Sequence, residues 1–245
     1  MTIPRLLQGA LARDGARPFV TFYDEHSGER TELSVATTAN WVAKTANMLQ
    51  DSLDAESGSV VRIDLPLHWE TLVWLLACWS VGCSVATDVS SDADIAVLGP
   101  ELRGADHASA GPDIVVALSL RPLGARFADP LPAGVVDYNA EVLGHGDHFG
   151  AWSEPTGDTV ALSSLEVQVS QRSLIDGTDQ IIKEADIAPG ARILVTASDS
   201  QLDALVAALV VGGSVVLVTD SDGTPVKPER LRTLADDEHV TAQLS

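Results

Sequence analysis

The sequence predicts an α/β protein, three layers deep, in which mostly parallel sheet is flanked by helices and preceded by a β-hairpin. Three observations carry this. Residues 58–88 read as a short apolar strand, a polar turn, an apolar helix, a glycine break and a second apolar strand. Residues 190–219 repeat that order. Counted from the glycine break, Leu72, Leu75, Ala77, Val81, Gly82, Ser84 and Val85 match Leu202, Leu205, Ala207, Val211, Gly212, Ser214 and Val215. Strand, helix and strand in succession, with both strands apolar throughout, is the signature of a parallel β-α-β unit. The third observation is residues 18–33, which alternate apolar and polar around a turn holding Gly28, as a hairpin does.

The remaining elements follow in order. Residues 4–16 have the spacing of a short amphipathic helix. After the hairpin, Ser34 offers an N-cap, and Val35, Ala39, Val42, Ala46 and Leu49 recur at helical spacing through residue 53. Short strands are expected at 95–98 and 114–118, separated by a polar segment. Residues 121–150 are rich in proline and glycine and read as an ordered surface excursion with a linker, anchored by Phe127, Tyr138 and Phe149. A strand at 159–163, a helix capped by Ser170 and running to about 185, the second β-α-β unit, a helix at 227–237 and an apolar tail at 240–244 complete the chain. The expected division is a first α/β half at 1–150 and a second at 151–245, the two together forming one or two compact domains.

Composition narrows the function. With 245 residues, 45% of them hydrophobic, the chain can bury a sizeable core. A formal charge of −20 disfavours nucleic acid and anionic membranes as partners. Lys44, Lys183 and Lys227 are the only lysines. Residues 72–86 and 202–218 are apolar but short for a membrane span, broken by glycine and flanked by acidic residues. Cys78 and Cys83 have an offset that does not bring two thiols together on a helix, so reduced core thiols and a cytoplasmic location are expected.

The order of these pieces, with several short motifs, resembles the N-terminal part of the adenylate-forming superfamily: acyl-CoA synthetases, adenylation domains of peptide synthetases and luciferases. The resemblance lies in FVTFYDEHSGERTEL (19–33), GSVVRIDLPLHWETLVWLLACWSVGCSVATD (58–88), QVSQRSL (168–174), IAPGARILVTASDSQLDALVAALVVGGSVVLV (187–218) and PERLRTLADDEHVTAQL (228–244). It implies the fold of that family's N-terminal subdomains. It also implies a Ser/Thr/Gly-rich loop ending in Pro-Lys, which in the family cradles the triphosphate of ATP. Here the corresponding stretch is DTVALSSLEVQVSQRSL (158–174). Leu165, Glu166 and Val167 follow Ser163 and Ser164 directly, without glycine or lysine, and a carboxylate at Glu166 would repel phosphate. The family's ribose-binding aspartate and C-terminal domain with its catalytic lysine would lie beyond Ser245.

The expectation is therefore a non-catalytic binding or interaction module on this scaffold, with no catalytic, cofactor-binding or metal residue assigned and no cofactor. Its expected partner is a protein, a second copy, or a small acyl or nucleotide ligand. One alternative is half of a split acyl-activating ligase completed by a partner chain. The other is metal-dependent activity at His145 and His148, with Asp147 between them, or at Asp220 and Asp222, since imidazole and carboxylate are metal donors. Asp92 and Asp94 form a weaker pair. His68, Trp41, Trp74 and Trp79 are read as packing residues, and Cys78 lacks the basic neighbour that a nucleophilic thiol needs. A ligand crevice is expected outside the carboxyl ends of the strands, at Asp64 to Pro66 and at Thr196 to Asp199.

Overall fold

The computed structural model describes residues 1–86, 92–102 and 112–244. The end of the first repeat at Asp88 and most of the polar segment after residue 98 lie outside the described residues. The chain is drawn into two units. One comprises Met1–Pro4, Asn40–Pro66 and Val73–Ser173, the other Arg5–Ala39, Leu67–Leu72 and Leu174–Ser245.

The first unit is built on a seven-stranded sheet. Its strands are β3 (Val60–Asp64), β4 (Ser84–Ala86), β5 (Ile95–Leu98), β6 (Ile114–Ala117), β7 (Val135–Asp137), β8 (Val160–Ser163) and β9 (Gln168–Ser170), in the order β7-β6-β5-β3-β4-β8-β9. All neighbours are parallel except β8 and β9. Helix α3 (Trp69–Val81) supplies its core, with Trp74, Cys78 and Trp79 fully buried. Trp79 fixes the sheet edge from inside: its indole Nε1 donates to Ala161 O at 3.0 Å, and its own carbonyl accepts from Gln171 Nε2 at 2.9 Å. Gln171 Oε1 in turn accepts from Ile3 N at 3.0 Å. A buried amide with donor and acceptor both satisfied costs little and holds three segments in one geometry.

The proline-rich stretch 121–150 does more than skirt the surface. It contributes β7 to the sheet edge and a short helix, α4 (Tyr138–Glu141), whose Tyr138 is fully buried against Trp74 with its hydroxyl 2.8 Å from Thr45 Oγ1. Phe127 and Phe149 are only half-buried. A three-residue edge strand among prolines leaves no periodic signal, which is why only the aromatic anchors were legible.

The second unit carries a five-stranded sheet of β1 (Pro18–Asp24), β2 (Glu29–Ser34), β10 (Arg192–Val195), β11 (Ser214–Thr219) and β12 (Ala242–Leu244), ordered β12-β10-β11-β1-β2. The predicted hairpin is present, and it places β1 parallel to β11, with Val20 opposite Val215. Helix α6 (Gln201–Val211) is buried from Ala204 to Leu209. Helix α7 (Pro228–Asp237) sets Leu234 against Leu194, Val216 and Val218. The three further helices start where expected: α1 at Ile3–Asp14, α2 at Val35–Asn47 and α5 at Gln171–Glu184. Ser34 Oγ accepts from Thr37 N and Ser170 Oγ from Ser173 N, both at 3.1 Å, so both serines cap as read. A single π-helical turn, Met48–Ser52, extends α2.

The two repeats end their helices identically. Gly82 and Gly212 adopt φ of +95° and +68°, and in each case two successive amides converge on one carbonyl. Gly82 N and Cys83 N reach Cys78 O at 3.0 and 2.9 Å. Gly212 N and Gly213 N reach Ala208 O, the second at 2.7 Å. The next strand then docks through Ser84 N on Ser59 O and Ser214 N on Ala191 O, both at 2.9 Å. Left-handed backbone favours glycine, and at Gly213 a Cβ would lie 2.1 Å from Ala191 O.

One polar network spans the second sheet. Arg192 Nη2 donates to Thr21 Oγ1 at 2.8 Å and to Glu238 Oε2, while Glu238 Oε1 accepts from Tyr23 Oη and, at 3.0 Å, from Arg30 Nη2. Although burial alone would raise the Glu238 pKa, these donors hold it down at about 2. A depressed carboxylate stabilises the fold above its unfolded pKa and loses that contribution as pH falls toward the folded value. Glu238→Gln is therefore expected to lower unfolding free energy by about 2 kcal/mol at pH 7, and the gap to wild type should narrow steadily from pH 4.5 to pH 2 in denaturant titrations. Gly213→Ala, which puts a methyl on the Ala191 carbonyl, should cost more than about 3 kcal/mol by the same measurement; a mild effect would show that the turn has room to relax.

Candidate functional site

The stretch that corresponds in sequence to the expected phosphate loop is the turn between β8 and β9. Strands β8 and β9 pair antiparallel with Ser163 opposite Gln168, leaving four residues, Ser164 to Val167, for the turn. Ser164 N donates to Val167 O at 2.9 Å, and Val167 N donates to Ser164 Oγ at 3.1 Å, so the turn consumes those amides itself. Phosphate cradles need such N–H groups directed outward in a concavity. Leu165 and Val167 instead present apolar side chains to solvent, 71% and 58% exposed. Glu166 is exposed as well.

The histidine cluster does not assemble as metal ligands. Lys44 Nζ forms an ion pair with Asp147 Oδ1 at 2.7 Å and donates to His145 O at 2.6 Å. Asn47 Nδ2 donates to the carbonyls of Gly146 and His148, each at 2.9 Å, and His145 Nε2 faces Ser52 Oγ at 3.4 Å. Gln50 continues the series, accepting from Trp152 N at 2.9 Å and donating to Gly150 O at 3.3 Å. Polar groups spaced along the end of α2 and its π turn thus clamp an irregular segment. These residues serve to satisfy backbone in a loop, the ordinary need of such a segment.

The other pair is brought together, with a third residue that local spacing could not reveal. Among the described residues, His26, Asp220 and Asp222 are the group of three metal-donor side chains whose ligand atoms all lie within 4.8 Å of one another. His26 sits in the β1–β2 turn, and the parallel pairing of β1 with β11 carries it to the Asp220 loop. Partial desolvation and the neighbouring Asp222 carboxyl raise the pKa of Asp220, whereas hydrogen bonds from Thr224 lower that of Asp222.

The remaining candidates divide into buried or bonded groups and exposed ones. Asp94 Oδ2 accepts from Val60 N at 2.7 Å, and Asp92 lies exposed. His68 is buried edge-on to Phe22, ring centroids 4.5 Å apart, with Nδ1 accepting from Glu70 N; burial holds its pKa down to about 3, so it is neutral. Cys78 and Cys83 are free and buried, and burial pushes the Cys83 thiol up to about 12. At the strand ends, Ser198 Oγ accepts from Leu67 N at 3.1 Å, while Asp64 and Asp199 are exposed. A depression of about 530 Å³ opens at the opposite, amino-terminal ends of β3, β5 and β6, lined by Asp54, Glu56, Asp94 and Asp113 among others. In parallel sheets ligands bind at the carboxyl ends, the other side from this acidic hollow. No helix among the described residues is long and apolar enough to cross a membrane.

No family model matches the chain. It is 39% identical over 235 residues to a TIGR03089 family protein of Mycobacterium tuberculosis, a match that takes in 91% of this chain and 93% of that one. Among solved structures, an acyl-CoA synthetase of Brucella canis superimposes with a TM-score of 0.77 at 17% identity, over 97% of this chain and 46% of that one. Coronafacic acid ligase of Pectobacterium brasiliense gives 0.75 at 12%, over 98% and 49%. The anthranilate CoA ligase AuaEII, solved with anthranoyl-AMP, gives 0.73 at 11%, over 96% and 48%. The chain spans about half the length of these enzymes, and the likeness is one of fold, that of the N-terminal subdomains of adenylate-forming ligases. By its extended match to the mycobacterial protein, the chain belongs to the TIGR03089 family.

Proposed function

We propose that this protein is a non-catalytic binding or interaction module, acting in the cytoplasm on the scaffold of an adenylate-forming ligase. The observation that carries the reading is the closed turn from Ser164 to Val167, with the amides of its first and last residues bonded inside the turn and Glu166 between them. Adenylation depends on fixed positive charge and outward N–H groups around the triphosphate. Incubation with ATP, Mg2+ and a panel of carboxylic acids should give no pyrophosphate exchange above a no-protein control. ATP should produce no saturable heat on calorimetric titration. Exchange with any acid would overturn the proposal.

A second reading, half of a split acyl-activating ligase completed by a partner chain, draws on the apolar side chains left in solvent. Trp152, Leu165 and Val167 are 67%, 71% and 58% exposed, and exposed apolar surface often marks an interface. On this reading, tagged protein isolated from its native cell carries a second adenylate-forming fragment, and the mixture regains exchange activity. Isolation of the chain alone and monodisperse would count against it.

A further inference from the structure

Two turns from distant parts of the sequence meet at the carboxyl ends of adjacent parallel strands, where Asp24 of β1 lies opposite Thr219 of β11. Asp24 is buried and joins them. Its carboxylate accepts from His26 N at 3.2 Å and from Ser221 N and Ser221 Oγ at 2.8 Å each. The positions of His26, Asp220 and Asp222 are thus set by backbone held to one carboxylate rather than by loose loops. His26 Nδ1 is 3.6 Å from Asp222 Oδ2. Asp222 Oδ1 is already taken by Thr224 N at 2.8 Å and Asp220 Oδ1 by Asp222 N at 3.3 Å. Each carboxylate can therefore give one oxygen outward without breaking a bond in the turn.

Ligand atoms about 2.1 Å from a tetrahedral ion stand about 3.4 Å from each other. With all three donors inside 4.8 Å, side-chain movements of about an ångström close the set on one ion. Ca2+ and Mg2+ prefer shells of oxygen alone, whereas an imidazole with two carboxylates suits zinc and its neighbours. Three protein donors leave the other positions to water. We propose that His26, Asp220 and Asp222 bind a divalent transition-metal cation, with Zn2+ as its representative, and that the ion fastens the β1–β2 turn to the loop leaving β11. The ion neutralises two crowded carboxylates on a chain of net charge −20. Its role is binding and stabilisation, independent of whether the chain has any ligase activity.

The test uses the full chain without an affinity tag, stripped with chelator, dialysed and titrated with ZnCl2 calorimetrically at pH 7. Wild type is expected to bind one equivalent saturably, and its Tm should rise with added Zn2+, because a ligand that binds only the native state stabilises it. His26→Gln and Asp222→Asn should each weaken binding by at least about tenfold, while His145→Gln and His148→Gln should bind as wild type does. Asp222→Asn disturbs the Thr224 bond, so His26→Gln, which removes no side-chain bond except the ion pair, decides if the two disagree. Absence of saturable heat in wild type overturns the proposal. So does binding that survives His26→Gln unchanged, since the ion would then sit elsewhere on the acidic surface.

Discussion

A buried helix that must give way at once to a strand parallel to its predecessor leaves the chain two residues in which to turn, and this constraint is met twice in the same way. At Gly82 and at Gly212 the backbone goes left-handed and two amides share one helical carbonyl. The following strand then lies close enough that Ser84 and Ser214 dock on the strand before the helix. Each sheet takes its register from that step. In the first, β4 is placed beside β3, and β8 beside β4; in the second, β11 is placed beside β10, and β1 beside β11. Side chains can be exchanged along α3 or α6 at the ordinary price of a cavity. At Gly213, where a neighbouring carbonyl occupies the space of a Cβ, there is nothing to exchange.

The frame also explains why the turn between β8 and β9 is as it is. Ala161 is held by the Trp79 indole, and Gln171, immediately after β9, is held by the Trp79 carbonyl and by Ile3. Both ends of the hairpin are therefore pinned to the buried helix, and only the turn is free to vary in length and composition. In this chain it is four residues closed upon themselves. In a loop of that length the amides of Ser164 and Val167 are already committed within the turn. Its length and composition can therefore change without breaking the hydrogen bonds that hold the hairpin to α3.

Much of this was legible in the sequence because it is local. The apolar runs flanking Gly82 and Gly212, the capping serines at 34 and 170 and the alternation in the hairpin each reflect a requirement met within a few residues. What escaped is non-local. Strand β7 is three residues among prolines and takes its identity from pairing with β6. His26 reads as a polar turn residue until β1 is known to lie beside β11, and the Asp220 loop gives no sign of a third donor. Conversely, His145, Asp147 and His148 were dense in sequence but had a nearer use, because Lys44 and Asn47 could reach them and close an irregular segment. Short spacing of donors says which groups are available; which of them meet is decided by strand order.

Cations are scarce in this chain, and many of those with a resolved partner hold its own structure together. The chain has 15 basic against 35 acidic side chains, and several of its cations are already committed to holding its own loops and strands together. Arg192 and Arg30 converge on Glu238, Arg230 pairs with Glu25 at 2.8 Å, Arg17 caps Gly213 O at 2.8 Å and Lys44 holds Asp147. An anion drawn to any of these groups would compete with a carboxylate or carbonyl already in place and sit within the field of an acidic chain. A positively charged ligand meets carboxylates in excess instead. The same excess of carboxylates that opposes an anion favours the cation proposed for His26, Asp220 and Asp222.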